Sequence, residues 1–403
     1  MTQNRYDLFS ANFKANPFPT YEAMRQADPI YAHHPPNGQT MWYITRYEDV
    51  LSVLKDTERF VKDQRSIDPE EGALGVIQPV NGSINENMLF ADPPEHTRLR
   101  ALVNLAFTPQ RVRQMTPQIE RVAEQLLDTV LPQGEMDLIT DYALPLPIMI
   151  ICDMLGVPEK DQTELCDLSQ AIISPGRLKL SFSRRKRKLK RFVALIRQVI
   201  DTRKKQPQDD LITALVQAEI EGDKLSADAL SSMVALLLVT GHETTVNLIG
   251  NGALALLQHP EQLEILKSDP TQMAAAIEEI LRFDGPVETS TTRWAKTDVD
   301  FRGHRIRRGD VVRVVLASAN RDPAFCPHAD TFDISRQEGR HLAFGHGIHY
   351  CLGAPLARLE GQIAFEALFR KMPTLRLNVS VEKLVWRSGV LFRGLEQLPV
   401  CWG

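Results

Sequence analysis

The chain has 403 residues, of which 43% are hydrophobic and 24% charged, and its net formal charge is −4. This is ordinary globular composition, which excludes a disordered, collagenous or coiled-coil protein, and the acidic balance gives no global reason to bind nucleic acid. Its five cysteines, an odd number without a CxxC pair, argue against a disulfide framework and leave at most one thiolate to explain.

In chain order, Tyr21 to Ala27 and Tyr47 to Lys55 read as short helices, with a strand from Met41 to Thr45 between them. Residues 64–87, rich in Gly, Pro, Asn and Ser and with little periodicity, read as a long loop of the kind that is either functional or disordered. From about residue 108 to 285 the pattern is helical. Thr116-Pro117 reads as an N-cap and N1 pair, and Ile119, Val122, Ala123, Leu126, Leu127 and Val130 then mark one buried stripe. A long helix runs from near Ser226 to just before Pro260; it is apolar on every side from Met233 to Val239, as a helix crossing an interior must be. Asp269-Pro270 starts a further helix that Gly285-Pro286 ends. Residues 296–316 alternate and turn at Gly303 and Gly309-Asp310, which predicts strands and hairpins. A last helix spans about 354–371, Pro373 stops it, and strand pattern follows. The expected fold is mainly α with a minor β part. Length alone allows roughly two or three domains, but no linker divides the chain, so one domain over 1–403 is expected.

The first residues carry no apolar signal-type core. The longest apolar run, Ala143 to Cys152, contains Pro145 and Pro147 and falls short of the ~20 residues of a bilayer span. It is expected to be a buried element of a cytoplasmic protein with no membrane span.

The chemistry concentrates in the run Phe344 to Gly353. Three glycines, Gly345, Gly347 and Gly353, surround Cys351 and allow close backbone approach, and a helix follows at once. The positive end of that helix favours a thiolate, which suits an axial metal ligand. A buried structural cysteine, or a zinc site drawn from His341, His346, His349 and Cys351, are the other readings of the residues alone. In the long helix, Gly241 costs ~1 kcal/mol relative to Ala, so a compensating role is expected. Beside it, Glu243 and Thr244 set a carboxylate next to a hydroxyl, a pair able to relay protons. Glu279 and Arg282 stand three apart on a helix face, and His96 and Arg100 stand four apart, able to grip one carboxylate.

The run 344–358 resembles the haem-binding signature of the cytochrome P450 family, Phe-Gly-x-Gly-x-His-x-Cys-x-Gly followed by Ala-Arg, here Ala357-Arg358. The resemblance implies the cytochrome P450 fold, with haem b buried between the long helix and the cysteine loop. Cys351 is then the iron ligand, in a loop built on Phe344, Gly345 and Gly353, and His349 contacts a propionate. Thr240 to Thr245 resembles the family's oxygen-activation motif, Ala/Gly-Gly-x-Asp/Glu-Thr, which makes Glu243 and Thr244 the proton-delivery pair and Gly241 the residue that opens a groove. Thr240 departs from the motif, standing where Ala or Gly is usual; it either faces oxygen and substrate or bonds back to the helix. His96, Arg100 and Arg293 match the propionate-binding groups. Glu279, Arg282 and Arg336 match the Glu-x-x-Arg core lock.

The resemblance covers the chain nearly end to end and is to the soluble bacterial branch. It implies a haem-thiolate monooxygenase that uses O2 and two electrons, drawn from NAD(P)H through a ferredoxin and its reductase. A peroxide-driven peroxygenase and a non-catalytic haem sensor are the alternatives, and the Glu243-Thr244 pair favours the monooxygenase. By family position the substrate pocket includes Ala235, Val239, Thr289, Ser290, Val390 and Leu391, with Glu288 nearby and contributions from 64–90 and 165–185. This mixed lining suggests a mid-sized, mainly apolar polyketide, terpenoid, steroid or fatty acid. Arg111, Arg113 and Arg358 are candidates for the ferredoxin face, and a monomer is expected. The run Arg184 to Arg191 is densely basic and opens a helix; a solvated face is its first reading, with anionic membrane or nonspecific nucleic-acid contact, or a place beside the access loop, as alternatives.

Overall fold

The computed structural model describes residues 4–35, 38–67, 84, 86–173, 181–337 and 340–403. Most of the predicted 64–87 loop, and 174–180 within the 165–185 region, lie outside the described residues. The chain is mainly α with a minor β part, as the periodicities predict, and it divides into two compact units.

The first unit comprises Met1–Val61, Ala123–Leu144 and Thr244–Gly403. Its main sheet has five strands in the order Ile30–His33, Met41–Ile44, Val311–Val314, Arg293–Ala295 and Phe60–Val61. Met41–Ile44 runs parallel to Val311–Val314, while the other pairs are antiparallel. One sheet core joins Ile30, Ile44, Phe60, Val312 and Val314 to Val50, Val53 and Leu54 of the helix Tyr47–Lys55, so apolar residues three and four apart on that helix meet alternate residues of the strands. The predicted turn at Gly303 is a tight hairpin between Val299–Phe301 and His304–Ile306, where Arg302 and Gly303 both take positive φ. The strand Arg293–Ala295 precedes the region where alternation is visible: it is three residues long and buried at every position, so no polar partner marks it.

Two helices, Met273–Asp284 and Ala354–Lys371, carry the rest of this unit's function. The first buries Met273, Ala276, Ile277, Ile280 and Leu281 on one stripe. On its other side Glu279 accepts from Arg282 Nε and Nη2 at 2.7 Å each, and Arg336 Nε lies 3.4 Å from the same carboxylate. Arg282 also donates to the carbonyls of Asn320, Ala329 and Thr331.

The second unit comprises Lys62–Val122 and Pro145–Glu243 and is almost wholly helical. The apolar run singled out in the sequence forms the helix Pro145–Leu155, with Leu146, Ile148, Ile150, Ile151 and Cys152 buried. Helix Glu159–Ile173 meets helix Phe182–Lys205 through Arg191, which binds Glu164 at 2.6 and 2.7 Å. Arg203 is buried with Asp210, which also caps the helix Leu211–Gln217 through Thr213 N at 2.8 Å.

The helices Thr116–Val130 and Ala227–Gln258 contribute to both units. Thr116 is the first residue inside its helix rather than the cap before it, and its hydroxyl donates back to Arg113 O. Ser226 caps the long helix through Ala229 N at 3.0 Å. Among the described residues this is one helix long and apolar enough to cross a membrane, but 83% of its apolar window is buried, which marks a core helix.

Glu279→Ala would leave Arg282, 2% exposed, as an unpaired buried cation, and the unfolding free energy is expected to fall by about 3–5 kcal/mol, read from the denaturant midpoint.

Candidate active site

Within the first unit, Cys351 sits between a 3-10 turn, Gly347–His349, and the N-terminus of helix Ala354–Lys371. The loop closes on itself: Cys351 N donates to Phe344 O at 3.0 Å and Tyr350 N to Gly347 O at 3.1 Å. Gly345 and Gly347 have φ of 71° and 74°, where L side chains are strained. Gly347 also lies against the helix Tyr47–Lys55, so an added Cβ would stand 2.7 Å from Leu54 O. Gly353 precedes the helix without a capping side chain, and a Cβ there would come 3.9 Å from Cys351 Sγ. The exposed thiol therefore faces a helix start whose orphan amides and dipole favour its anionic form.

Sequence reasoning missed the groups that brace this loop. Glu278 accepts from Arg358 Nε at 2.6 Å and Nη2 at 2.8 Å, and His341 Nε2 lies 3.1 Å from it. Arg358 covers the Phe344 ring at 4.6 Å. Burial works against the charge on Glu278, yet the hydrogen bonds and charges of Arg358 and His341 win and hold its carboxyl at about 2. Arg358 is thus paired within the chain, as Arg111 is with Asp209. The only sequence signal for Glu278 was a second acid beside Glu279. Among the described residues no three of His, Cys, Asp and Glu side chains gather into a metal-holding group, so the four-residue zinc reading does not form.

The long helix is buried from Ala229 to Leu256 except at Thr240, Gly241 and Thr244, which share one side. Thr240 Oγ1 donates to Leu236 O at 2.8 Å, so it bonds back to the helix. A Cβ on Gly241 would stand 3.3 Å from Ile151 Cγ1, so the missing side chain also lets helix Pro145–Leu155 pack closely at this level. Glu243 is buried and Thr244 half-buried. Next in line, Thr245 meets Glu360 of helix Ala354–Lys371. Burial raises the Glu360 carboxyl to about 8, and the nearby Thr245 offsets only part of that.

The remaining expected site residues divide between the units. In the second unit His96, 3% exposed, and half-buried Arg100 lie one turn apart on helix Glu95–Ala106. Burial first, then the Arg100 charge, lowers the His96 pKa from its ordinary value. Ala235 and Val239 are buried on the long helix. In the first unit Arg293 is buried and donates to Ser290 Oγ at 3.0 Å, and His349 is half-buried. Thr289 Oγ1 donates to Val390 O at 2.7 Å and Glu288 N to Leu391 O at 2.9 Å, which brings together two segments distant in sequence. The Glu288 side chain is not available to a substrate, because Lys14 and Tyr21 hold it in the interior. As a donor set these residues fit a thiolate-ligated haem: one soft thiolate for iron, and two imidazoles with two guanidiniums for a pair of carboxylates.

The family profile described as Cytochrome P450 matches residues 8–375. The polyketide biosynthesis cytochrome P450 PksS of Bacillus subtilis is 42% identical over 395 residues, covering 96% of each chain. Its solved structure superposes with a TM-score of 0.91 at 40% identity, over 99% of this chain and 100% of that one. The cytochrome P450 monooxygenase PikC of Streptomyces venezuelae is 41% identical, covering 97% of this chain and 92% of its own. P450BioI, solved in complex with an acyl carrier protein bearing hexadec-9Z-enoic acid, is 38% identical with a TM-score of 0.87, over 98% and 99% of the two chains.

Two outcomes follow from this geometry. Gly347→Ala strains the backbone and collides with Leu54 O, and is expected to lower both thermal stability and the haem retained on purification, read by melting temperature and by haem-to-protein absorbance ratio. The raised Glu360 pKa means that its contribution to stability is full below the unfolded value of 4.5 and is lost as pH rises to about 8. Glu360→Gln removes that loss. Its stability should match the wild type near pH 4.5 and exceed it by a margin that grows by up to about 1.4 kcal/mol per pH unit toward pH 8, measured by denaturation across that range.

Proposed function

The chain belongs to the cytochrome P450 family, and from that premise we propose that it oxidises a polyketide-type or fatty-acyl chain, delivered on a carrier protein, using O2 and electrons from a ferredoxin. Its class is not at issue: it is a cytochrome P450 monooxygenase, and the family uses haem and O2 with reducing equivalents. Support for the substrate comes from the relatives named for polyketide biosynthesis and from the relative solved on an acyl carrier protein.

The observation that carries this reading is Cys351 in a glycine-built turn directly before a helix N-terminus. Cysteine-ligated haem, for which cytochromes P450 are the established case, supplies the oxidising chemistry, with the thiolate pushing electron density toward iron. Cys351 holds that iron, and the helix start and the short loop keep the sulfur ionised. His96, Arg100, Arg293 and His349 would bind the propionates, the imidazoles as hydrogen-bond donors and the arginines as charges. Glu243 and Thr244 hold and pass protons, with Thr244 on the open side of the helix and Glu243 behind it. Thr240 donates to Leu236 O and so ties its hydroxyl back to the helix. Thr289, Ser290, Val390 and Leu391 shape the substrate end, with Ala235 and Val239 as apolar lining. The Glu243-Thr244 pair supports dioxygen over peroxide, since peroxide brings its own protons and needs no delivery pair.

The reduced protein with carbon monoxide should show a Soret band well to the red of histidine-ligated haem, and Cys351→Ala should abolish it. An unchanged band in that variant rules out the ligand assignment. Thr244→Ala should keep the band and consume NAD(P)H while product per NAD(P)H falls roughly tenfold or more, with peroxide released instead. Normal product yield in that variant rules out proton delivery at Thr244.

A further inference from the structure

Seven cations stand between Arg184 and Arg191 at the start of the helix Phe182–Lys205, and two elementary effects oppose them there. The helix N-terminus is the positive end of the dipole, and no acid occupies its first turn. Residues three and four apart share a face, so Arg184 and Lys188, Lys186 and Lys190, and Arg187 and Arg191 set like charges together. Glu164 relieves Arg191. Among the described residues no acid bridges the other six, and Arg184, Lys186, Arg187 and Lys190 are exposed. Packing does not call for these charges either, because the helix buries a separate apolar face at Leu189, Phe192, Leu195 and Ile196. The cations therefore weaken the helix that carries them, and an external anion is what would make them favourable.

The chemistry of the patch narrows that anion. A helix that inserts into a lipid surface exposes apolar side chains beside its cations, whereas the apolar face here is buried in the protein. The patch is two turns, or about 10 Å, long on a chain of net charge −4, which matches one acidic face of a compact protein better than a duplex. We infer that this face docks the acidic surface of an acyl carrier protein that presents the substrate. This rests on the carrier-bound reading above.

Calorimetric titration of the holoenzyme with an acyl carrier protein charged with hexadec-9Z-enoic acid tests the docking, with the R184E/K186E/R187E/K190E variant as comparison. Reversal is expected to weaken carrier binding about tenfold or more, and about 0.5 M salt to do the same to the wild type. The Soret shift with the free acid and the ferredoxin-supported reduction rate should not change. The variant should melt no lower than wild type, since glutamates suit a helix N-terminus. Carrier affinity that survives reversal overturns the docking, as does a loss confined to ferredoxin reduction, to anionic vesicles or to duplex DNA. Wild type that takes the free acid but not the carrier also overturns it and leaves the substrate reading standing. Wild type that binds the carrier through these cations but shows no Soret shift with either form overturns the substrate reading and leaves the docking standing.

Discussion

Two neighbouring carboxylates on the helix Met273–Asp284 hold the first unit in register. Glu279 sits between Arg282 and Arg336 with almost no exposure, and an ion so far from water survives only because every side of it is met by a donor. Arg282 passes the constraint on to the carbonyl of Asn320, whose side chain in turn accepts from Leu342 N at 2.6 Å, two residues before Phe344. Glu278 reaches the same loop from the other direction through His341 and Arg358. One helix turn thus fixes both ends of the segment that presents Cys351. The binding energy is spent on geometry as much as on stability, since a thiolate ligand displaced by a fraction of an ångström would lose its alignment with the backbone donors.

The long helix solves a different problem. A run buried on every side is stable but chemically inert, so polar groups must enter without leaving unsatisfied atoms. Thr240 and His242 each return a bond to the carbonyl four residues earlier. Gly241 lets Ile151 come close, which keeps the neighbouring helix packed at the level of the motif. Thr245 faces a carboxyl that burial keeps protonated at neutral pH. The motif thus carries a structural load at Thr240, Gly241, His242 and Thr245, while Glu243 and Thr244 are the positions proposed for chemistry.

Charge is used in two ways: buried pairs such as Arg203 with Asp210 occur in the second unit as well as the first, and one helix of the second unit also exposes a cluster of one sign. In the first, Glu278, Glu279 and Glu288 are each consumed by cations of the same unit. In the second, the opening of the helix Phe182–Lys205 accumulates cations of which, among the described residues, only Arg191 is bridged by an acid. Satisfied charges set the shape of a site, while unsatisfied ones at a surface are free to select a partner.

The sequence by itself determined the fold class, the long core helix, the turns at Gly303 and Gly309, and the importance of the Cys351 loop. These features are local: helix and strand periodicities, the positive φ that glycine permits, and a cysteine set before a helix start are all written in consecutive residues. What only the tertiary structure decided are the meetings of residues far apart in the chain. Glu278 with Arg358, Glu360 with Thr245, Thr289 with Val390, and Glu288 turned inward to Lys14 and Tyr21 left no periodic trace, because a single buried contact depends on how elements pack and not on how residues follow one another. The same reason applies at Thr240 and Gly241: the bond from Thr240 to Leu236 O and the close approach of Ile151 to Gly241 are contacts that the motif itself does not spell out.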